Sequence, residues 1–514
     1  MKSHIKKYYQ IFLFTPILFY FGKRSLIAFD EGFYTLQAKW ILENNNWVAP
    51  LWWGNISLDR TIGIQSLLAF SQKLFGMKSI AYIFPITFAG VIMLYITYHL
   101  HKELLGNDFA IISPLILSTT FLWVNYVNMA TQDIVFASLV SIGILSTIKS
   151  AKNKTNFYLF FAGIWLGLAI MMKTYLALIP FLAIFPFNIK TKIFQKKYYW
   201  IGLFFGLLPF IIWSLNIINI YGSETFLTLH QKLLFLSKNN NFTNPFFYYL
   251  WNLPLNLFPW SIPAIVGLIN CREIKDNYAN YFLFKFPIIL ILLLSLFSTK
   301  TPYYPIQLLS IISINTFIGI KTIFKKNKFY LIFINKFLFV VIPFILSILS
   351  ILLITNSLNV DYEYRQIILI SIGIILFSLV WFMINFSKSL KIKILLIIVG
   401  AYLFTVSLVQ SGFITDRSRA LRIAGDDLIK KEFLKEKKIE VIKSDLGDQN
   451  SVSKIIKIMV LMPRIGNGID NLNQLKPDQY AWTTISSKEL LKSRKYTLID
   501  ESDIYLPWKL IQKN

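Results

Sequence analysis

Asp30 and Glu31 stand side by side directly after the first apolar run, and Asp59 and Arg60 stand side by side further along the same loop. With the amphipathic stretch that follows, the first pair makes a platform that holds two carboxylates over a lipid headgroup. A guanidinium suits bidentate recognition of a phosphate. Asp133 is the only acid between Asp108 and Glu224, and two more cations, Lys173 and Lys300, fall between apolar runs. Two cations on the same face as Arg60 also suit a phosphate, and so an anionic lipid substrate. Each residue also has a plainer reading. Asp30 can cap an interfacial helix with Glu31 in its first turn. Asp59 and Arg60 can form an ordinary ion pair, and Lys173 and Lys300 can snorkel to the membrane surface. Spacing alone leaves both readings open. His4, His99, His101 and His230 show no metal-ligand spacing, and the lone Cys271 excludes an internal disulfide.

The elements that must position these residues are apolar. Of 514 residues, 55% are hydrophobic and only 15% are charged, against roughly 25% charged in a soluble domain. The segments 80–98, 198–223 and 394–415 carry no Lys, Arg, Asp or Glu, and a helix needs about 20 apolar residues to cross a bilayer. The net charge of +26 would suggest nucleic acid as a partner for a soluble chain. Here the basic residues gather in loops between apolar runs, so the chain reads as a multi-pass membrane protein with membrane lipids, and no nucleic acid, as partners.

The runs predict thirteen helices, near 8–27, 79–98, 108–127, 131–148, 156–172, 174–189, 199–219, 251–270, 281–298, 303–320, 330–354, 366–386 and 394–413. One set of loops is the more basic, with Lys149, Lys152, Lys154, Lys190, Lys192, Lys196, Lys197, Lys321, Lys325, Lys326 and Lys328. The positive-inside rule then sets the N-terminus in the cytoplasm, and an odd number of spans puts the C-terminal segment outside. The expected fold is an all-α polytopic membrane domain over residues 1–414, followed by a small soluble α/β domain over 415–514. In that domain the apolar stretches 439–442 and 457–462 alternate with helix-like charged segments such as 426–438. The first outer loop, about 30–77, carries an amphipathic stretch at 32–42 and then Trp47, Trp52 and Trp53. Such segments lie flat in the membrane interface with their rings at headgroup level.

Read in order, these residues resemble the C-type superfamily of membrane glycosyltransferases that use polyprenyl-phosphate sugars, in the branch of lipid A aminoarabinose transferase and the protein O-mannosyltransferases. The resemblance runs over residues 1 to about 320. Its motifs here are Asp30-Glu31-Gly32-Phe33-Tyr34, Asn46-Trp47-Val48-Ala49-Pro50, Leu58-Asp59-Arg60-Thr61, Asp133, Met172-Lys173-Thr174, Pro245 to Tyr249, Phe258-Pro259-Trp260 and Thr299-Lys300-Thr301-Pro302-Tyr303-Tyr304. Arg60 replaces the usual lysine, Thr174 stands where glycine is usual, and His230 has no arginine between it and Pro245.

The resemblance implies an inverting transfer of one sugar from a polyprenyl-phosphate-linked donor to a lipid, glycan or protein acceptor at the outer face of the cytoplasmic membrane. It implies Asp30, Glu31 and Asp133 as the catalytic set, with Arg60, Lys300, Lys173 and Tyr304 on the donor phosphate. Asp59 and His230 would position the acceptor or share a cation. Two carboxylates can hold a divalent metal ion, but nothing in the sequence demands that cofactor. Two other readings explain part of the pattern: a transporter or flippase of a lipid-linked sugar, and a non-catalytic relative that binds the polyprenyl lipid.

Overall fold

A computed structural model describes residues 24–58, 60–76, 79–153, 155–236, 243–325, 328–355, 357, 363–486, 495–500 and 502–514. The expected first helix, 8–27, and Asp59 lie mostly or wholly outside these residues. The described chain is mainly helical and falls into two compact units. One holds 24–85, Met129–Thr131 and Thr415–Asn514, and the other holds Ile86–Asn128 and Gln132–Ile414. Among the described residues nine helical runs are long and apolar enough to cross a membrane, or ten if a bent pair counts as one span.

Most of the expected spans have a counterpart among these runs. The 35-residue run Asn156–Lys190 is folded back on itself. A straight helix of that length would span about 50 Å, yet Leu159 and Ala162 near its start pack with Ile193 and Tyr199 just beyond its end. The reversal is at Thr174, whose φ of 49° no helix continues. Two expected helices differ. The run at 108–127 is broken into Ile112–Ser118 and Phe121–Tyr126. Between them Thr120 is extended, and the hydroxyls of Thr119 and Thr120 take up the carbonyls of Leu115 and Ile116. The run at 251–270 is two helices, Tyr248–Asn256 and Ser261–Cys271, bent by 120°. Pro259 lies between them and has no N–H to continue the first.

Within the second unit, helices meet backbone to backbone at small residues. A Cβ on Gly163 would lie 2.0 Å from the Tyr199 carbonyl oxygen, and one on Gly202 would lie 2.0 Å from that of Phe160. Gly167 and Gly206 repeat the contact one turn on. Two Gly-xxx-Gly faces thus lock helices Asn156–Lys173 and Lys197–Tyr221, as is usual where lipid offers no hydrophobic drive between helices. A second core is aromatic, with Trp260, Phe317, Phe377 and Trp381 buried together.

The first unit joins the loop after residue 24 to the C-terminal segment. Helix Phe33–Asn44 is followed by a hairpin of β1 (Leu51–Trp52) and β2 (Asn55–Ile56). Trp53 and Gly54, at φ 50° and 83°, make its turn, the left-handed pair that matches strand twist. The hairpin places Trp52 and Trp53 against Trp40, with ring centroids 5.7 and 5.2 Å away. Trp53 is buried and Trp52 half-buried, so the two rings pack on protein instead of standing free at headgroup level.

In the C-terminal segment, β3 (Ile439–Val441), β4 (Tyr480–Thr483), β5 (Tyr496–Asp500) and β6 (Lys509–Lys513) form a sheet of order β3-β4-β6-β5. The stretch 457–462 is not a strand. It ends helix Gln449–Leu461, which crosses between the parallel strands β3 and β4. Its Ile455, Ile456, Ile458 and Met459 are buried at helical spacing, and Asp448 caps its start by accepting from Ser451 N at 3.0 Å.

Candidate active site

In the first unit the Asp-Glu pair sits on a short π-helical turn, Ala28–Gly32, that runs directly into helix Phe33–Asn44. The N-cap is Ile27, so Asp30 is not the capping residue. The two carboxylates are treated differently. Glu31 is fully buried and accepts three bonds: from Arg24 Nη2 at 3.1 Å, from Ile27 N at 3.0 Å and from Ala130 N at 2.9 Å. It ties the turn to the backbone N–H groups of Ile27 and Ala130, and the side chain of Asp30 next to it is exposed. Gly32 lets this turn lie close to helix Gln449–Leu461, since a Cβ there would meet Ile456 Cγ2 at 2.5 Å.

Tyr34 lies one helical turn after Asp30, and Arg60 reaches it from the end of the loop. Its Nη1 donates to Tyr34 Oη, and its guanidinium carbon is 5.0 Å from the ring centroid. Tyr34 thereby brings a guanidinium to the helix turn that begins with Asp30, both groups in one compact unit.

Lys39 lies further along the same helix and was not singled out from sequence. It is buried and donates to the carbonyls of Val460 and Met462, the latter at 2.7 Å, where helix Gln449–Leu461 ends. An ammonium there meets the negative end of the helix dipole. Burial nevertheless lowers its pKa to about 7, with nearby Glu43 acting the other way.

In the second unit Asp133 opens helix Asp133–Asn153, and Lys173 is the last helical residue before the Thr174 reversal. Their side chains form a buried ion pair. The Lys173 ammonium also lies 5.4, 5.3 and 5.2 Å from the ring centroids of Phe136, Tyr303 and Tyr304. Three aromatic faces around one ammonium make a cation–π cage. Of these rings, Tyr304 was expected from sequence and Phe136 was not.

Lys300 is buried and donates to the Asn244 carbonyl at 2.9 Å and to that of Phe297 at 2.5 Å. Asn244 Nδ2 returns a bond to the Lys300 carbonyl at 3.0 Å. Lys300 thus ties the strand-like residues around Thr243 to the loop before Tyr303, using two of its three N–H groups. Its pKa is lowered by desolvation. His230, on helix Ser223–Leu236, bonds through Nδ1 to Tyr175 Oη and stands edge-on to Phe226 at 4.4 Å. Burial among these rings favours its neutral form. Among the described residues no three His, Cys, Asp or Glu side chains gather as a metal site.

Residues 59–214 match the family model of dolichyl-phosphate-mannose-protein mannosyltransferase. An uncharacterised protein of Aquifex aeolicus is 22% identical over 340 residues, which are 64% of this chain and 67% of that protein. The undecaprenyl phosphate-alpha-4-amino-4-deoxy-L-arabinose arabinosyl transferase of Edwardsiella ictaluri is 25% identical over 289 residues. That match takes in 54% of this chain and about half, 52%, of the relative's length. Among solved structures, ArnT of Cupriavidus metallidurans bound to undecaprenyl phosphate shares the fold with a TM-score of 0.72. It is 12% identical and the match covers 99% of this chain and 98% of that one. Sequence and fold agree with the ordered motifs: the chain resembles the C-type superfamily of membrane glycosyltransferases, in a branch like that of lipid A aminoarabinose transferase and the protein O-mannosyltransferases.

Proposed function

We propose that the chain is an inverting glycosyltransferase that moves one hexosyl or pentosyl unit from a polyprenyl-phosphate carrier to a lipid, glycan or protein acceptor. The reaction runs at the outer face of the cytoplasmic membrane, within a membrane domain of thirteen spans over residues 1–414 with the N-terminus inside. Residues 415–514 form a soluble domain on the outer side.

The observation that carries this reading is the division of labour in the first unit. Glu31 is buried and fully engaged, which leaves exposed Asp30 on a fixed backbone, one helical turn from the tyrosine that holds Arg60. Asp30 accepts the proton of the acceptor hydroxyl as its oxygen attacks the anomeric carbon. The bond from that carbon to the phosphate oxygen breaks, and polyprenyl phosphate leaves with one more negative charge. Arg60 stabilises that charge, and the same role falls to Lys300, Lys173 and Tyr304 in the second unit. Asp133 holds Lys173 in place. His230 and Asp59 act on the acceptor. The relative named for transfer of aminoarabinose from undecaprenyl phosphate and the fold shared with an undecaprenyl-phosphate complex both support a polyprenyl-phosphate donor.

Purified full-length protein should consume a radiolabelled polyprenyl-phosphate sugar, by transfer or slow hydrolysis, and release polyprenyl phosphate. Arg60→Ala should weaken donor binding at least about tenfold, and Arg60→Lys should restore part of it. Undiminished donor binding by Arg60→Ala, together with no donor consumption by the parent, would overturn the proposal.

A further inference from the structure

A cleft in the first unit, lined by Arg24, Tyr82, Ser418, Arg422, Lys457 and Leu461, has no part in the chemistry above. It is a small cleft, partly open to solvent. Arg24 is only 6% exposed and uses Nη2 alone, on Glu31. Its Nε and Nη1 are buried without a hydrogen-bond partner among the described residues. Buried donors of this kind are ordinarily satisfied, so acceptor oxygens belong against them.

The cations around the cleft are not equally engaged. Arg422 is held by Asp416 through two bonds of 3.1 and 2.7 Å, and Asp426 lies 3.5 Å away. Lys457 donates to Ser418 Oγ at 2.8 Å and has no ion pair among the described residues. Burial and the neighbouring Lys454 both act against its charge, which an anion would relieve. The cleft therefore offers a guanidinium edge and an ammonium to a single guest. A carboxylate has two oxygens for these donors, whereas a phosphate monoester, as in phosphatidic acid, presents three and can bridge both cations.

The same place in the fold indicates where the phosphate comes from. Tyr82 lies in the first turn of the membrane-spanning helix Ser79–Leu105, at the level where the apolar span begins. On this helix and the one before it, Phe84 and Phe75 are exposed with rings 4.9 Å apart. Aromatic side chains at such a level meet the boundary between headgroups and acyl chains. We propose that this cleft binds the phosphate headgroup of a membrane phospholipid, with Arg24 and Lys457 as its two cations.

The proposal stands apart from the glycosyltransferase reading and is tested separately. Delipidated full-length protein in a phosphate-free detergent is titrated calorimetrically with dihexanoyl phosphatidic acid, inorganic phosphate and dihexanoylglycerol. Phosphatidic acid should bind at least about tenfold tighter than either other probe. Lys457→Gln should weaken it by about tenfold or more, and Lys457→Arg should retain it. Arg24 is left intact because its removal would strip Glu31 of its partner. Equal binding of inorganic phosphate would overturn the lipid assignment, and equal binding of dihexanoylglycerol would overturn the phosphate assignment. Phosphatidic acid binding that Lys457→Gln leaves unchanged would overturn the site. Donor consumption by Lys457→Gln should stay at the parental rate, so this proposal and the catalytic one fail independently.

Discussion

Glu31 in one unit and Asp133 in the other are both buried carboxylates paired with a cation, but their surroundings differ. Glu31 meets Arg24 and two backbone N–H groups, so its acceptor capacity goes to holding the chain. Asp133 meets Lys173, whose ammonium is otherwise ringed by the faces of Phe136, Tyr303 and Tyr304. Ring faces hold a cation without accepting each of its N–H groups, so the second arrangement keeps charge available beside a ligand while the first is architectural. Adjacent acids in a sequence can therefore do different work, and burial with its bonding partners separates them.

The largest effect should come from breaking the architectural pair. Glu31→Ala leaves the Arg24 guanidinium buried and uncompensated, a loss of about 3–5 kcal/mol. Thermal unfolding of the purified protein should show it, and an Arg24→Met/Glu31→Met double variant should recover most of it. A Glu31→Ala protein as stable as the parent would show that the three bonds to Glu31 do not hold the turn.

A somewhat smaller loss should follow Lys173→Met, about 2–4 kcal/mol, because Asp133 left alone still sits in the first turn of a helix where the dipole favours its charge. Adding Asp133→Asn should restore stability without restoring turnover. Recovery of both would place this pair with Glu31 and Arg24 and erase the contrast.

Per unit of pH, the smallest effect concerns Lys39. Its pKa is 10.5 in an ordinary setting and about 7 when buried. Between those values the unfolded chain binds the extra proton, so stability should rise with pH from about 7 towards 10.5, by up to about 1.4 kcal/mol per unit, and the effect should vanish below about 7. Subtracting the profile of Lys39→Met from that of the parent isolates the term. A difference that is flat or falls with pH would contradict the burial of this lysine.

Much of the membrane fold was legible because a bilayer imposes a length rule on apolar runs, and the motif order was legible because residue types and sequence order survive without coordinates. What the sequence hid depends on tertiary partners. The stretch 457–462 is short and apolar, and only its burial along a helix distinguishes it from a strand. Lys300 reads as a loop cation, yet it satisfies two backbone carbonyls. Lys39 and Arg24 gave no local signal, since their partners lie at Val460 and Met462 for one and at a buried glutamate for the other. Tyr34 was accessible to reasoning, because it follows Asp30 by one helical turn. The paired Gly-xxx-Gly faces at 163–167 and 202–206 were equally visible as spacing.

The central claim is that Asp30 acts as the proton acceptor while Glu31 holds the backbone that presents it. Single-turnover transfer from a polyprenyl-phosphate sugar to a hydroxyl acceptor tests it most directly, with parent and Asp30→Asn proteins compared at saturating donor. Asparagine has nearly the same shape but cannot take a proton at neutral pH. The account predicts parental melting temperature and donor binding with turnover reduced at least about a hundredfold. Near-parental turnover by Asp30→Asn would contradict it and move the proton-accepting role to Asp133.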